Sequence, residues 1–295
     1  MNAGEYLKEK TIGPSSLDEQ ILLAHVLGRP RAWLLAHLDT PLSPPQLAAA
    51  KEAFDQFRAG TPLPYILGHW EFFGLDFNVT KDVLIPRPET ELLVEKAIVF
   101  LQSLPDKKKF AADIGTGSGA IAVSLAAHVP DLHILATDIS PAALEVAGGN
   151  AKKFSVQDKI EFVECDLLPD HGPLTTDRLS SSIVHGPHSP LAGSSFHLIC
   201  ANLPYVPTEI MLGLPIYGRE PTIALDGGVD GLVLYRRLFK SMPDWIASHG
   251  KCLFEIEASL GSQSLRLARE SFPQADTQLH QDLTGRDRLL EITFP

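Results

Sequence analysis

Cysteine is scarce in this 295-residue chain: there are 3, at Cys165, Cys200 and Cys252, and no CxxC pair. That excludes a disulfide framework and argues against structural zinc. Each cysteine sits in or beside an apolar run, as a buried free thiol does, so the reading is a reducing cytoplasm with no metal site. Long apolar runs are missing too. Nothing approaches the roughly 20 residues needed to span a bilayer, and the first ten residues lack the basic-then-apolar pattern of a secretory leader. Positive charge is in short supply: 25 Lys and Arg stand against 36 Asp and Glu, a net charge of −11. The deficit runs through both parts of the chain, and only Lys107–Lys109 forms a basic run. Tight nucleic-acid binding draws on clustered Lys and Arg, so direct contact with nucleic acid is not expected.

What is present is ordered along the chain. The first 60 residues read as helices. Ser16 with Glu19 is a capping-box pattern, followed by Leu17, Ile21, Ala24 and Leu27 on one face. Arg31–Leu38 reads as a short helix. Pro44–Pro45 opens another, with Leu47, Ala50, Phe54 and Phe57 on one face. Residues 61–85 change character, and Trp70–Phe73 is expected to pair with Asp76–Val79 as a hairpin. Pro88 then opens a helix to about Leu104.

From residue 110 strands and helices alternate. Strands are expected at Phe110–Ile114, His133–Asp138, Ile160–Cys165, Phe196–Ala201, Lys251–Glu257 and Leu289–Phe294. Helices are expected at Ser118–His128, Pro141–Phe154, Val229–Met242 and Leu260–Phe272. This alternation predicts an α/β domain, a mostly parallel sheet covered on both faces. Pro169–Ser195 breaks the rhythm. Of its 27 residues, 15 are Gly, Pro, Ser or Thr, and it is read as a mobile insertion between two strands. Its His171, His185 and His188 match no ligand spacing.

Asp113-Ile114-Gly115-Thr116-Gly117-Ser118-Gly119 stands where a strand turns into a helix, as in a nucleotide-cofactor turn. Asp138 ends the next strand, where a carboxylate can hold both hydroxyls of a ribose. Asp166 ends the third, within reach of an adenine amino group, and Asp113 would lie near a cofactor's amino acid end. Three acids around one crevice suit a cation better than a pyrophosphate. S-adenosyl-L-methionine, with its sulfonium and ammonium, is therefore preferred to a nicotinamide dinucleotide.

Asn202-Leu203-Pro204-Tyr205 follows the fourth strand. Its chemistry suits methylation of a planar NH2, whose lone pair is delocalised. The Asn202 side-chain oxygen and the Leu203 carbonyl can hold the two N–H bonds. Pro204 restricts the residue before it, which aims that carbonyl, and Tyr205 offers a flat face.

With these motifs the chain resembles the peptide chain release factor glutamine N5-methyltransferases, the PrmC/HemK group, from about residue 17 to the C-terminus. PYILGHWEFFGLDF at 64–77, LIPRPETELLVE at 84–95, EPTIALDGGVDGL at 220–232 and DLTGRDR at 282–288 carry the resemblance further. It implies a class I S-adenosylmethionine-dependent methyltransferase fold, Rossmann-like, with a seven-stranded mostly parallel sheet, an antiparallel last strand and a small N-terminal helical bundle. It implies three segments: a helical domain at 1–62 that docks the release factor, a hairpin-bearing linker at 63–86, and a methyltransferase domain at 87–295 with its insertion at about 169–195. The implied target is the glutamine of the Gly-Gly-Gln motif in class 1 release factors. Gly115 to Gly119, Asp138, the pair Asp166–Leu167 and Asn202 would hold the cofactor, Asn202 to Tyr205 the glutamine amide, and Arg87 and Glu89 would line the site. The family usually has Pro where this chain has Leu203. NLPY is also the spelling of rRNA adenine dimethyltransferases, so a nucleic-acid adenine N6-methyltransferase is the alternative. A monomer is the default expectation.

Overall fold

The computed structural model describes residues 1–10, 16–105, 108–169 and 195–295. By contacts the chain divides into two compact units, Met1–His69 and Trp70–Pro295. The boundary falls inside the segment read as a linker. Most of the expected insertion, 170–194 with its three histidines, and Lys107 lie outside the described residues.

The first unit is helical: α1 (Ala3–Lys10), α2 (Leu17–Val26), α3 (Arg31–Ala36), α4 (Pro44–Arg58) and α5 (Leu63–Leu67). The Ser16 hydroxyl accepts from the Glu19 N–H and the Glu19 carboxylate accepts from the Ser16 N–H, so the expected capping box is formed. Ser43 and Gln46 make a second box that the sequence reading passed over. A cap of this kind stabilises a helix by about 1 kcal/mol. The predicted face of α2 holds at Ile21, Ala24 and Leu27, which lie in or against this unit's core, and needs correction at Leu17. Leu17 is exposed, and Leu22, Leu23 and Ala24 are buried. They pack with Tyr6, Leu34 and Phe54 in one core. α1 was not expected. Its eight residues include four charges, and Ala3, Tyr6 and Leu7 alone are buried.

The second unit opens with a hairpin of β1 (His69–Phe72) and β2 (Leu75–Asn78). Its two turn residues, Phe73 and Gly74, have φ of 51° and 72°, the left-handed pair that matches strand twist. Then come α6 (Thr90–Ser103), β3 (Lys109–Ile114), α7 (Ala120–His128), β4 (Leu132–Asp138), α8 (Pro141–Lys153), β5 (Ile160–Glu164), β6 (Phe196–Ala201), α9 (Thr208–Met211), α10 (Val233–Ser241), β7 (Ile246–Glu255), α11 (Gly261–Ser271), β8 (Asp276–Gln281) and β9 (Asp287–Thr293).

Among the described residues, seven strands form one sheet in the order β5-β4-β3-β6-β7-β9-β8. β5, β4, β3, β6 and β7 run parallel, and β9 is antiparallel to both β7 and β8. Strand alternation sends Ala111, Ile134, Leu198 and Leu253 to one face, against Leu93 and Leu101 of α6 and Val123 and Leu125 of α7. Ala112, Leu135, Ile199 and Phe254 face the other way, against Tyr235, Leu238 and Phe239 of α10 and Ala268 of α11. Each fully buried large side chain contributes about 1.5–3 kcal/mol. β8 was missed because it is an edge strand of sequence DTQLHQ, with Leu279 its one aliphatic residue. β7 starts five residues earlier than expected, in the polar ASHG stretch.

Candidate active site

The chain order reverses between β3 and β6, and a crevice forms at the carboxyl ends on either side of such a point. Register places Ile114, Asp138, Glu164, Ala201 and Glu255 along that one edge, each the last residue of its strand. The loops that follow line a cavity.

Gly115, Gly117 and Gly119 all have positive φ, so the turn after β3 is one that side-chain-bearing residues strain to adopt. Gly115 and Thr116 both donate to the Thr137 carbonyl of β4. Gly117 N–H donates to Asp138 Oδ2 at 2.8 Å, and Ser140 N–H to Asp138 Oδ1 at 2.9 Å. Burial pushes the Asp138 carboxyl up from its ordinary range while these backbone donors hold it down. Two neighbouring N–H groups thus aim the carboxylate.

Gly115, Thr116, Gly117, Ser118, Asp138, Asp166, Leu167, Asn202, Leu203, Pro204 and Arg87 all line this cavity. Asp113, Gly119, Tyr205 and Glu89 do not. Asp113 is fully buried beneath the glycine turn, where its Oδ2 accepts from Thr116 Oγ1 at 2.6 Å and Ala122 N–H at 3.1 Å. Its other oxygen is buried with no protein partner, and burial raises the group to about 7. Asp113 therefore shapes the turn rather than facing a ligand. Gly119 caps α7 where a Cβ would stand 3.1 Å from that of Ala147, which makes it a packing glycine.

Arg87 is committed elsewhere. Its guanidinium pairs with Glu220, which is buried and also accepts from the Ile85 N–H. This pair ties the IPRPET loop to the EPTIAL segment. Glu89 stands 3.9 Å from Arg288, which Asp282 holds at 2.9 Å, so DLTGRDR reaches the same loop. Asp166 is paired with Arg237 at 2.6 Å, both half-exposed. Thr137 Oγ1 donates to the Leu167 carbonyl and fixes that residue in its left-handed conformation.

Sequence reasoning missed Thr90, Glu255, Tyr235 and Arg237 here. Thr90, at the start of α6, donates to Glu255 at 2.5 Å and accepts from Asn202 Nδ2 at 3.1 Å. The Tyr205 hydroxyl donates to the other Glu255 oxygen at 3.1 Å. Glu255 is 2% exposed, and burial pushes its carboxyl up to about 7, against the Thr90 and Tyr205 donors. Tyr235 donates to the Glu255 backbone carbonyl. A carboxylate ending the strand beside Asn202 was the available signal. Arg237, from the exposed side of α10, left no sequence signal.

The segment 226–231 packs on the Asn202–Tyr205 turn. The Val206 N–H donates to the Leu225 carbonyl at 3.0 Å, and the Gly227 N–H to the Val206 carbonyl at 2.8 Å. A Cβ on Gly231 would stand 2.3 Å from the Tyr205 carbonyl oxygen, so backbone approaches backbone there.

Residues 1–68 match the PrmC N-terminal domain, and residues 95–179 match the methyltransferase small domain. The release factor glutamine methyltransferase of Moorella thermoacetica is 39% identical over 273 residues, 92% of this chain and 89% of that protein. The chain belongs to the release factor glutamine methyltransferase family. Its Bacillus anthracis relative of the same name is 33% identical over 98% of this chain and 95% of that protein. Among solved structures, the release factor-specific protein-(glutamine-N5) methyltransferase of Alicyclobacillus acidocaldarius is 27% identical, covering 74% of this chain and 99% of that one, with a TM-score of 0.42. The hMettl16 catalytic domain, solved with an RNA hairpin, shares the fold at a TM-score of 0.53 and 14% identity, over 88% of this chain and 86% of that one.

Proposed function

We propose that this family member transfers a methyl group from S-adenosyl-L-methionine to the side-chain amide nitrogen of the glutamine in the Gly-Gly-Gln motif of class 1 release factors. The observation that carries the reading is that Asn202, Leu203 and Pro204 line the same cavity as Gly115–Ser118 and Asp138. The residues fit such a cofactor. The Asp138 carboxylate is aimed by two backbone N–H groups, and a Cβ on Gly117 would meet no atom within 4 Å, so the turn leaves open space. The lining arginines, Arg87 and Arg237, are paired with Glu220 and Asp166, so of the three predicted acids Asp138 is the one that faces the cavity without a cationic partner.

When bound, the cofactor supplies an already activated methyl on its sulfonium. This chain then has to position rather than activate. Asp138 accepts from the ribose hydroxyls. Asp166 and Leu167 would hold the adenine, and the glycine turn would cradle the amino acid portion. Asn202 Oδ1 and the Leu203 carbonyl accept the two N–H bonds of the glutamine amide. That geometry favours localisation of the nitrogen lone pair toward the methyl. The proton leaves after transfer, so no strong base is required beforehand. Pro204 supplies the backbone restraint, and Tyr205, outside the cavity lining, anchors the motif through its hydroxyl on Glu255.

The reading extends to organisation. Residues 1–62 dock the release factor and 87–295 carry the chemistry, while the 63–86 segment both connects and, through Phe72, Asp82, Val83, Leu84 and Pro86, lines the cavity. The enzyme works as a cytoplasmic monomer on a protein rather than on nucleic acid. A net charge of −11 supports a protein over a nucleic-acid substrate, and the three free cysteines support a reducing cytoplasm. Among the described residues no helix is long and apolar enough to cross a membrane.

The test offers a class 1 release factor, the same factor with its Gly-Gly-Gln glutamine changed to alanine, and rRNA to the enzyme with labelled S-adenosylmethionine. Label on the first alone is expected, and Asn202→Ala should abolish it while leaving cofactor affinity within about threefold. Label on rRNA would return the adenine reading.

A further inference from the structure

The Asn202 amide has two faces of opposite polarity, and only one serves the reaction. If the side-chain oxygen is to receive an N–H from the substrate, the NH2 must point away. Nothing in Asn202 itself enforces this, because the two orientations are nearly the same shape. The network behind it does.

We propose that Glu255 and Thr90 are positioning residues that fix the orientation of the Asn202 amide. The inference rests on the amide-acceptor role given to Asn202 above.

The argument is a count of hydrogens. Above about pH 7, where Glu255 is ionised, its carboxylate only accepts. The Thr90 hydroxyl has one hydrogen and gives it to Glu255 Oε2. With that hydrogen spent, Thr90 Oγ1 can only accept, and Asn202 must present Nδ2 to it, as it does at 3.1 Å. The amide oxygen is thereby left for the substrate. The second carboxylate oxygen takes the Tyr205 hydroxyl hydrogen at 3.1 Å. One buried acid therefore sets the polarity of two side chains of the Asn202–Tyr205 motif, through separate oxygens.

The acid is itself held. Glu255 ends β7, and the Tyr235 hydroxyl fixes its backbone carbonyl from α10. Glu89 and Arg288 are the charged groups that act on it, with opposite sign. None of these contacts reaches the Asp138 side of the cavity, so the network can fail without the cofactor site failing.

The test measures methyl transfer to a class 1 release factor at saturating S-adenosylmethionine, with cofactor Kd by calorimetry, for five variants. Thr90→Val keeps the shape and removes the acceptor. Thr90→Ser keeps the hydroxyl. Glu255→Met removes the carboxylate, freeing the Thr90 hydrogen to turn toward Asn202 Oδ1. The double variant Thr90→Val with Glu255→Met asks whether both act by one route. Asn202→Ala is the control.

We expect Thr90→Val and Glu255→Met each to lower kcat at least fivefold, with cofactor Kd within twofold of wild type. Thr90→Ser should recover kcat to within twofold. The double variant should fall no further than the worse single one. A loss under fivefold for Thr90→Val overturns the proposal. So does a Thr90→Ser loss equal to that of Thr90→Val, a cofactor Kd that weakens in step with kcat, or losses that multiply in the double variant. Should Glu255→Met not fold, the Thr90 pair decides. An inactive Asn202→Ala beside an active Thr90→Val refutes this inference alone, whereas an active Asn202→Ala refutes the amide reading beneath it.

Discussion

Leu203 closes over Gly115. A Cβ built on Gly115 would stand 3.0 Å from the Leu203 Cδ2 methyl, where Gly115 has φ of +72°. The glycine turn and the motif after β6 are therefore fitted to each other directly across the switch point of the sheet.

Gly115→Ala tests that fit. The left-handed backbone costs about 1–2 kcal/mol for alanine, and the methyl forces Leu203 to move. We expect a lower Tm and at least a tenfold loss of S-adenosylmethionine affinity, read by thermal unfolding and calorimetry. Unchanged affinity would mean that the turn does not cradle the cofactor.

Asp138→Ala removes the aimed carboxylate. Hydrogen bonds to a charged group are worth about 1.5–3 kcal/mol, or roughly tenfold to hundredfold in Kd. The loss should fall on cofactor Kd, with kcat at saturation reduced less. The opposite split would move Asp138 from the cofactor to the reacting groups.

Gly231→Ala strikes the other side of the motif. With φ of +78° and the Tyr205 carbonyl 2.3 Å from the new methyl, the Asn202–Tyr205 turn has to shift. Turnover should drop more than tenfold while cofactor affinity changes little. Stability should fall by at least about 1 kcal/mol. Wild-type turnover would show that the turn tolerates displacement.

The fourth prediction concerns pH. Burial raises Glu255 to about 7, above its unfolded value of 4.5. The unfolded chain therefore releases this proton first as pH rises, and the folded state loses relative stability between about pH 4.5 and 7. Glu255→Gln removes that loss. The Tm difference, variant minus wild type, should be more positive at pH 8 than at pH 5. Asp113, also raised to about 7, is present in both proteins and cancels. A difference that does not change with pH would mean that Glu255 is not ionised by burial-opposed titration in this range.

Much of the architecture was legible because it is local. Ser16 and Glu19 sit three residues apart, so their capping box is written in adjacent sequence, as is the glycine turn between β3 and α7. The parallel strands β3 to β6 read as apolar runs because both their faces are covered. Edge strand β8 was illegible because solvent takes one of its faces, and on α2 the periodicity found Ile21, Ala24 and Leu27 but not Leu22 and Leu23, because a single helix does not reveal how many sides its neighbours cover. In the site, the sequence alone determined the chemistry available: Asp138 at the end of β4, Asn202 just after β6, and a backbone free to turn at Gly115. Only tertiary structure decided which groups those residues meet. Asp113 went beneath the turn, Arg87 to Glu220 across 133 residues, and Thr90 to Glu255 across 165. Partners so distant in the chain meet only when parallel strands bring their carboxyl ends to one edge, and no periodicity encodes which of them will touch.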